Sequence, residues 1–100
     1  MYQIDFNKPE HIHFIGIGGI SMSGLAEILL ERGFTVSGSD AHESELTDKL
    51  TAHGAKIVYG QRAENITDDI DAVVYMYSVL AESKNRKIPL FVLKKVRHTM

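Results

Sequence analysis

Residues 11–27 read HIHFIGIGGISMSGLAE, an apolar strand-like run, then three glycines within four positions, then the start of an amphipathic helix. That succession limits the chain to a strand–turn–helix opening of the βαβ type, and it builds a cradle for an anion. Gly16 suits a tight exit from the strand. Gly18 and Gly19 let backbone N–H groups approach a ligand with no Cβ in the way. The helix then directs its unpaired N–H groups, those of Ile20, Ser21, Met22 and Ser23, and its positive dipole end to the same spot. A diphosphate is the ligand this geometry suits. The alternative is a tight strand–helix turn that binds nothing.

The spacing departs from the dinucleotide fingerprint at one place. Counting Gly16-x-Gly18-x-x, the third position is Ser21, where the fingerprint has Gly or Ala for close helix–strand packing. Serine is small enough to fit, and its hydroxyl can donate to a phosphate oxygen.

Beyond the turn, apolar runs alternate with helical segments, the pattern of a mainly parallel sheet covered on both faces. Strands are expected over 12–17, 34–37, 56–59, 72–77 and 90–93. A helix over 21–32 carries Leu25, Ile28 and Leu29 on its inner face, and Gly33 stands at a left-handed C-cap position. A second helix starts at Ser44 as N-cap, turns Leu46 and Leu50 inward and ends at Gly54. One or two helical turns over 80–87 precede Pro89. The expected fold is α/β, one Rossmann-like three-layer domain over 1–100, with a five-stranded sheet ordered 3-2-1-4-5.

Composition removes several classes of function. The chain has no cysteine, which excludes a disulfide framework and thiolate metal sites and is compatible with a reducing cytoplasm. Its opening residues are polar, unlike a signal peptide, and no apolar run is long enough to span a bilayer. A net charge of −2 gives no reason to expect nucleic acid. Six of the eleven basic residues (Lys84, Arg86, Lys87, Lys94, Lys95 and Arg97) fall in the last seventeen positions, which reads as a solvated basic edge.

Few side chains suggest chemistry. Asp40 follows the second strand, twenty-four positions after Gly16, where an acid in a nucleotide-binding unit accepts from a ribose; the alternative is a loop acid that is solvated or caps the next helix. His11 and His13 share a strand face but lack a third ligand. His42, His53 and His98 lie apart, no H-E-x-x-H is present, and no metal site is expected. Each histidine reads as an ordinary surface or edge residue. Ser21 and Ser23 lack a G-x-S-x-G elbow, so they read as capping or phosphate-binding hydroxyls rather than nucleophiles. Asp68, Asp69 and Asp71 read as a solvated loop, and no catalytic residue is assigned. The chain also has no G-x-x-x-x-G-K-[ST] phosphate loop.

The string from His13 to Glu27, HFIGIGGISMSGLAE, resembles the opening of the Mur ligases, in particular the members that attach L-alanine to UDP-N-acetylmuramate. It is less similar to the members that recycle murein tripeptide. Val36-Ser37-Gly38-Ser39-Asp40, His53-Gly54-Ala55 and Asp71-Ala72-Val73-Val74-Tyr75 continue the resemblance in order, over about residues 10–75. The resemblance implies a UDP-sugar-binding N-terminal domain in peptidoglycan synthesis, cytoplasmic, with Ser39 and Asp40 beside the uridine. It implies that ATP, Mg²⁺ and the catalytic groups belong to central and C-terminal ligase domains, leaving this segment inactive alone. Past Tyr75 the pattern changes. Met76 and Tyr77 stand where relatives have small residues, an Asn-Pro-Glu helix start is missing, Gln61 replaces a common His, and 91–97 departs from the usual acidic, leucine-rich helix. Two other readings remain open: an NAD(P)-binding or ligand-sensing Rossmann module, and a trimmed or engineered scaffold without activity.

Overall fold

The computed structural model describes residues 4–60, 65–81 and 86–95, with side chains described over 4–60 and 65–75. Chain order is β1 (His11–Ile15), α1 (Ile20–Glu31), β2 (Thr35–Asp40), α2 (Glu45–Ala52), β3 (Lys56–Tyr59), β4 (Ala72–Ala81) and β5 (Arg86–Lys95). The five strands form one sheet in the order β3-β2-β1-β4-β5, as expected. β1 is central, pairing in parallel with β2 and β4, and β2 pairs in parallel with β3.

The two helices stop by the same device. Gly33 and Gly54 adopt positive φ of 86° and 110°. Phe34 N–H then donates to Leu29 O at 2.9 Å and Gly33 N–H to Leu30 O at 3.1 Å. Ala55 and Gly54 repeat this with Leu50 O at 3.0 Å and Thr51 O at 3.1 Å. Both are Schellman ends, and each releases the chain directly toward the next strand. Helix α2 starts on a reciprocal box in which Ser44 Oγ accepts from Thr47 N–H and Thr47 Oγ1 accepts from Ser44 N–H.

Both helices pack on one face of the sheet. Ile12, Phe14, Val36, Ala72 and Val74 meet Met22, Ala26, Leu29 and Leu50 in a single buried cluster. The inner stripe of α1 is therefore Met22–Ala26–Leu29, with Leu25 packed at its flank. Ile28, expected inside, is 48% exposed. The expected stripe was shifted around the helix because α2 covers the other flank, where Glu27 reaches Lys49 and His53 at 3.4 and 3.0 Å.

The last third differs from expectation. Strand β4 does not stop near residue 77 but runs to Ala81, and β5 returns antiparallel from Arg86, in register from Ala72↔Lys95 to Ala81↔Arg86. The helical turns expected over 80–87 are strand at residues 80, 81, 86 and 87; residues 82–85 lie outside the described set. Without that crossover helix, no third layer forms among the described residues. The face opposite α1 and α2 is approached instead by the β3–β4 connection, where Ile70 is buried.

Candidate functional site

The glycine turn lies at the carboxyl ends of β1 and β2. Gly16 has φ of 80°, and both its N–H and that of Ile17 donate to Ser39 O, at 2.8 and 3.0 Å. β2 thus holds the turn through one carbonyl. Gly38, just before it, touches the same structure: an added Cβ would lie 2.6 Å from Ile17 Cδ1, 2.8 Å from Ile17 Cβ and 2.9 Å from Phe14 O.

Helix α1 begins with Gly19 as an N-cap that supplies no side-chain hydrogen bond, and its first turn holds no acid. Ser23 N–H donates to Gly19 O at 2.8 Å, which makes it the first intrahelical donor. The N–H groups of Ile20, Ser21 and Met22 precede it and have no place in the helix ladder. Ile20 is 84% exposed and Ser21 is exposed beside it. The positive end of a 12-residue helix, with three donors outside its ladder, therefore begins at an exposed surface formed by Ile20 and Ser21.

Other residues expected at the site act from within the protein. Gly18 N–H donates to Asp40 Oδ2 at 2.8 Å, and Asp40 Oδ1 accepts from His42 N–H at 3.3 Å. Asp40 thus ties β2 to the turn. Gly18 lies against that carboxylate and against Thr47 of α2: an added Cβ would be 2.8 Å from Asp40 Oδ2 and 3.1 Å from Thr47 Cγ2. Ser39 is buried and contributes its carbonyl. Met22 is buried in the core, and Ser23 Oγ donates to Ile20 O at 3.0 Å. Gly19 N–H closes the turn onto Gly16 O at 3.2 Å. Met76 and Tyr77 belong to β4, but their side chains lie outside the described residues.

A second polar group has no local sequence signal beyond the His-x-His of β1. His13 is buried at 2% exposure, contrary to a surface or edge placement. Ser37 Oγ lies 2.8 Å from His13 Nδ1 and 2.7 Å from His11 Nε2. His11 Nδ1 faces Asp69, 3.1 Å from its carbonyl and 3.3 Å from Oδ2, and Asp71 Oδ2 accepts His11 N–H at 2.8 Å. Asp71 is thus bound into the fold, while Asp69, its side chain 74% exposed, keeps the solvated loop placement and touches His11 from there. Burial, then the neighbouring His11, lowers the His13 pKa below its ordinary value of 6.5. The Thr67 hydroxyl lowers that of Asp69. A cleft of about 400 Å³ opens here, lined in part by His11, His13, Ser37, Lys56 and Asp69. Among the described residues no group of histidines and carboxylates could hold a metal ion.

Comparisons with known proteins identify the family. The family described as Mur ligase family, catalytic domain, matches residues 11–98. A UDP-N-acetylmuramate–L-alanine ligase of Agathobacter rectalis is 68% identical over 79 residues, covering 79% of this chain and 17% of that protein. The enzyme of the same name from Clostridium kluyveri is 55% identical over 92 residues, covering 86% and 20%. A crystal structure of a murein peptide ligase from Psychrobacter arcticus superposes with a TM-score of 0.64 at 34% identity, over 67% of this chain and 14% of that one. The chain spans about a fifth or less of the length of these relatives. With its family match over most of the sequence and its glycine turn at the carboxyl ends of the sheet's parallel strands, the chain belongs to the Mur ligase family.

Proposed function

We propose that this chain is the substrate-anchoring part of a UDP-N-acetylmuramate–L-alanine ligase, and that it holds the UDP-sugar by its diphosphate. The observation that carries this reading is the bare start of α1: three N–H groups without a partner among the described residues, a glycine cap, no acid and an exposed approach. The diphosphate sits against Gly19 and the N–H groups of Ile20, Ser21 and Met22, with the Ser21 hydroxyl alongside. Asp40 and the Gly18 N–H bond keep the turn open, and Asp40 is the nearest acid to meet a ribose hydroxyl.

In the whole ligase, ATP and Mg²⁺ would activate the muramoyl carboxylate and L-alanine would attack it. The residues here do not suit that chemistry. The sequence has no ATP phosphate loop, and no described cluster of acids or histidines could hold a metal ion. The chain's own contribution is to fix one reactant relative to domains carried elsewhere in the relatives, which works through positioning. Cytoplasmic peptidoglycan synthesis follows from the same reading, and no helix among the described residues is long and apolar enough to cross a membrane.

Titration of the chain with UDP-N-acetylmuramate, UDP, NAD and NADP, followed by amide chemical shifts, tests the reading. The expected response is to the two uridine ligands, centred on Ile20, Ser21 and Met22. A response to NAD with none to UDP would establish the dinucleotide-module alternative. Silence toward every nucleotide would refute both and leave a scaffold without binding activity.

A further inference from the structure

Strand β4 outruns its parallel partner. It pairs with β1 from Ile12↔Ala72 to Phe14↔Val74, and β1 ends at Ile15, whereas β4 continues to Ala81. Because the two strands are parallel, the extra length projects past the carboxyl end of β1, the end that carries the glycine turn. The strand order also reverses between these two strands, with β2 and β3 on one side of β1 and β4 and β5 on the other. That is the topological switch point, where open α/β sheets hold their ligands. The two-stranded β4–β5 extension therefore borders the switch point on the side away from Asp40.

This order sets the direction of a ligand held at the cradle. Asp40 closes β2 and is bonded to Gly18 N–H at 2.8 Å, so the nucleoside half, met by that acid, lies on the β2 side. The diphosphate lies at the start of α1. The sugar half then leaves on the opposite side, toward β4. There the backbone of 76–81 is paired with β5 alone among the described residues. In an antiparallel ladder every second residue directs both its N–H and its C=O away from the partner strand. Half of the six residues 76–81 thus offer a donor and an acceptor along the edge away from β5, as an edge strand does to an added one. Charge suits an anionic ligand as well. Residues 75–81 and 86–92 include no acid, and the far end of the extension pairs Leu80 with Lys87 and Ala81 with Arg86.

Resting on the anchoring function above, we propose that the β4–β5 extension is a strap for the sugar half of the UDP-sugar, which it holds through the outward N–H and C=O groups of 76–81. An acetamido group matches such an edge because, like a peptide unit, it carries one donor and one acceptor. The muramoyl carboxylate takes N–H groups alone. UDP fills the nucleoside side and the cradle without reaching β4. The sugar supplies the remaining contacts, so the strap distinguishes a nucleotide-sugar from its bare nucleotide.

Amide hydrogen exchange tests the strap on the whole chain, free, with saturating UDP and with saturating UDP-N-acetylmuramate. Both ligands should slow Ile20, Ser21 and Met22. UDP-N-acetylmuramate alone should also slow the outward amides of 76–81, by at least about tenfold, since these face no strand and gain protection only from a bound partner. The free chain identifies them, because amides of 76–81 that face β5 exchange more slowly there. Outward amides that keep their free rates while UDP-N-acetylmuramate slows Ile20, Ser21 and Met22 overturn the strap and leave the anchoring function in place. Equal slowing of them by UDP overturns it too, because the sugar is then not what β4 holds. No slowing at Ile20, Ser21 and Met22 with either ligand refutes the anchoring function and the strap with it.

Discussion

Replacing Gly38 by alanine tests how tightly β2 is seated on the glycine turn. The new methyl would lie 2.6 and 2.8 Å from Ile17 Cδ1 and Cβ and 2.9 Å from Phe14 O, all well inside ordinary contact. Ile17 Cδ1 can swing away, but Ile17 Cβ and Phe14 O are fixed to the backbone of β1 and its exit. Relief requires the middle of β2 to shift by several tenths of an ångström. That shift strains the bonds from Gly16 and Ile17 to Ser39 O. Overpacking of this kind costs about 1–3 kcal/mol, and the upper part of that range applies because backbone must move. For a domain of this size each kcal/mol lowers Tm by about 4–8 °C, so the expected fall is on the order of 10–20 °C. Gly24→Ala is the control. It lies inside α1, where an added Cβ meets nothing within 4 Å, and it should stabilise by about 0.5–1 kcal/mol. Thermal melts followed by circular dichroism read both variants. If Gly38→Ala melts within about 3 °C of the parent, below the shift expected for 1 kcal/mol, the close seating of β2 is wrong.

Three further outcomes are expected. Gly18→Val forces a branched side chain onto Asp40 Oδ2 and Thr47 Cγ2, displacing the carboxylate that shapes the turn; UDP-N-acetylmuramate binding should weaken at least about tenfold, near 1.4 kcal/mol, and a folded variant that binds like the parent would remove the cradle. The depressed His13 pKa makes the unfolded chain the better proton acceptor below 6.5, so stability should be full above that pH and fall as acid approaches the lower folded value; urea midpoints that stay level between about pH 7 and 5 would contradict it, and His13→Gln should flatten the slope. Finally, the chain should show no alanine-dependent ATP hydrolysis, since no ATP loop is present; phosphate release that survives further purification would reveal a catalytic site in these residues.

What could be read from the sequence was what local chemistry determines. Glycine at positions 33 and 54 marked both helix ends because only a left-handed residue closes those caps, and Ser44 marked the start of α2 for an equally local reason. The bounds of β3 followed from a short apolar run after Gly54. The order of β3, β2, β1 and β4 followed from right-handed crossovers once the first turn was placed, whereas β5 reached its expected edge by a hairpin instead. Ile28 was misplaced because a helical repeat shows that a stripe exists, not which flank a neighbouring helix will cover. The hairpin was missed because Pro89 reads as a break, yet it is tolerated on an edge strand such as β5, which needs fewer ladder donors. Asp40 was singled out as an acid for a ribose, whereas its bond to Gly18 N–H depends on how two strand ends converge and has no local signal. The His11–Ser37–His13 line is wholly tertiary. Its members stand 24 and 26 positions apart, so no window of sequence contains it.

The sheet is uneven in width along β4. Ala72, Val73 and Val74 have a neighbour on each side, β1 and β5, whereas from Tyr75 to Ala81 the strand is paired with β5 alone among the described residues. Seven residue pairs therefore extend as a two-stranded ribbon, roughly 24 Å at the usual rise per residue. A two-stranded ribbon is marginal on its own. Two levels of cooperativity are expected: amide exchange should show the ribbon opening locally and the five-strand body opening only with the whole domain, with the division at Tyr75.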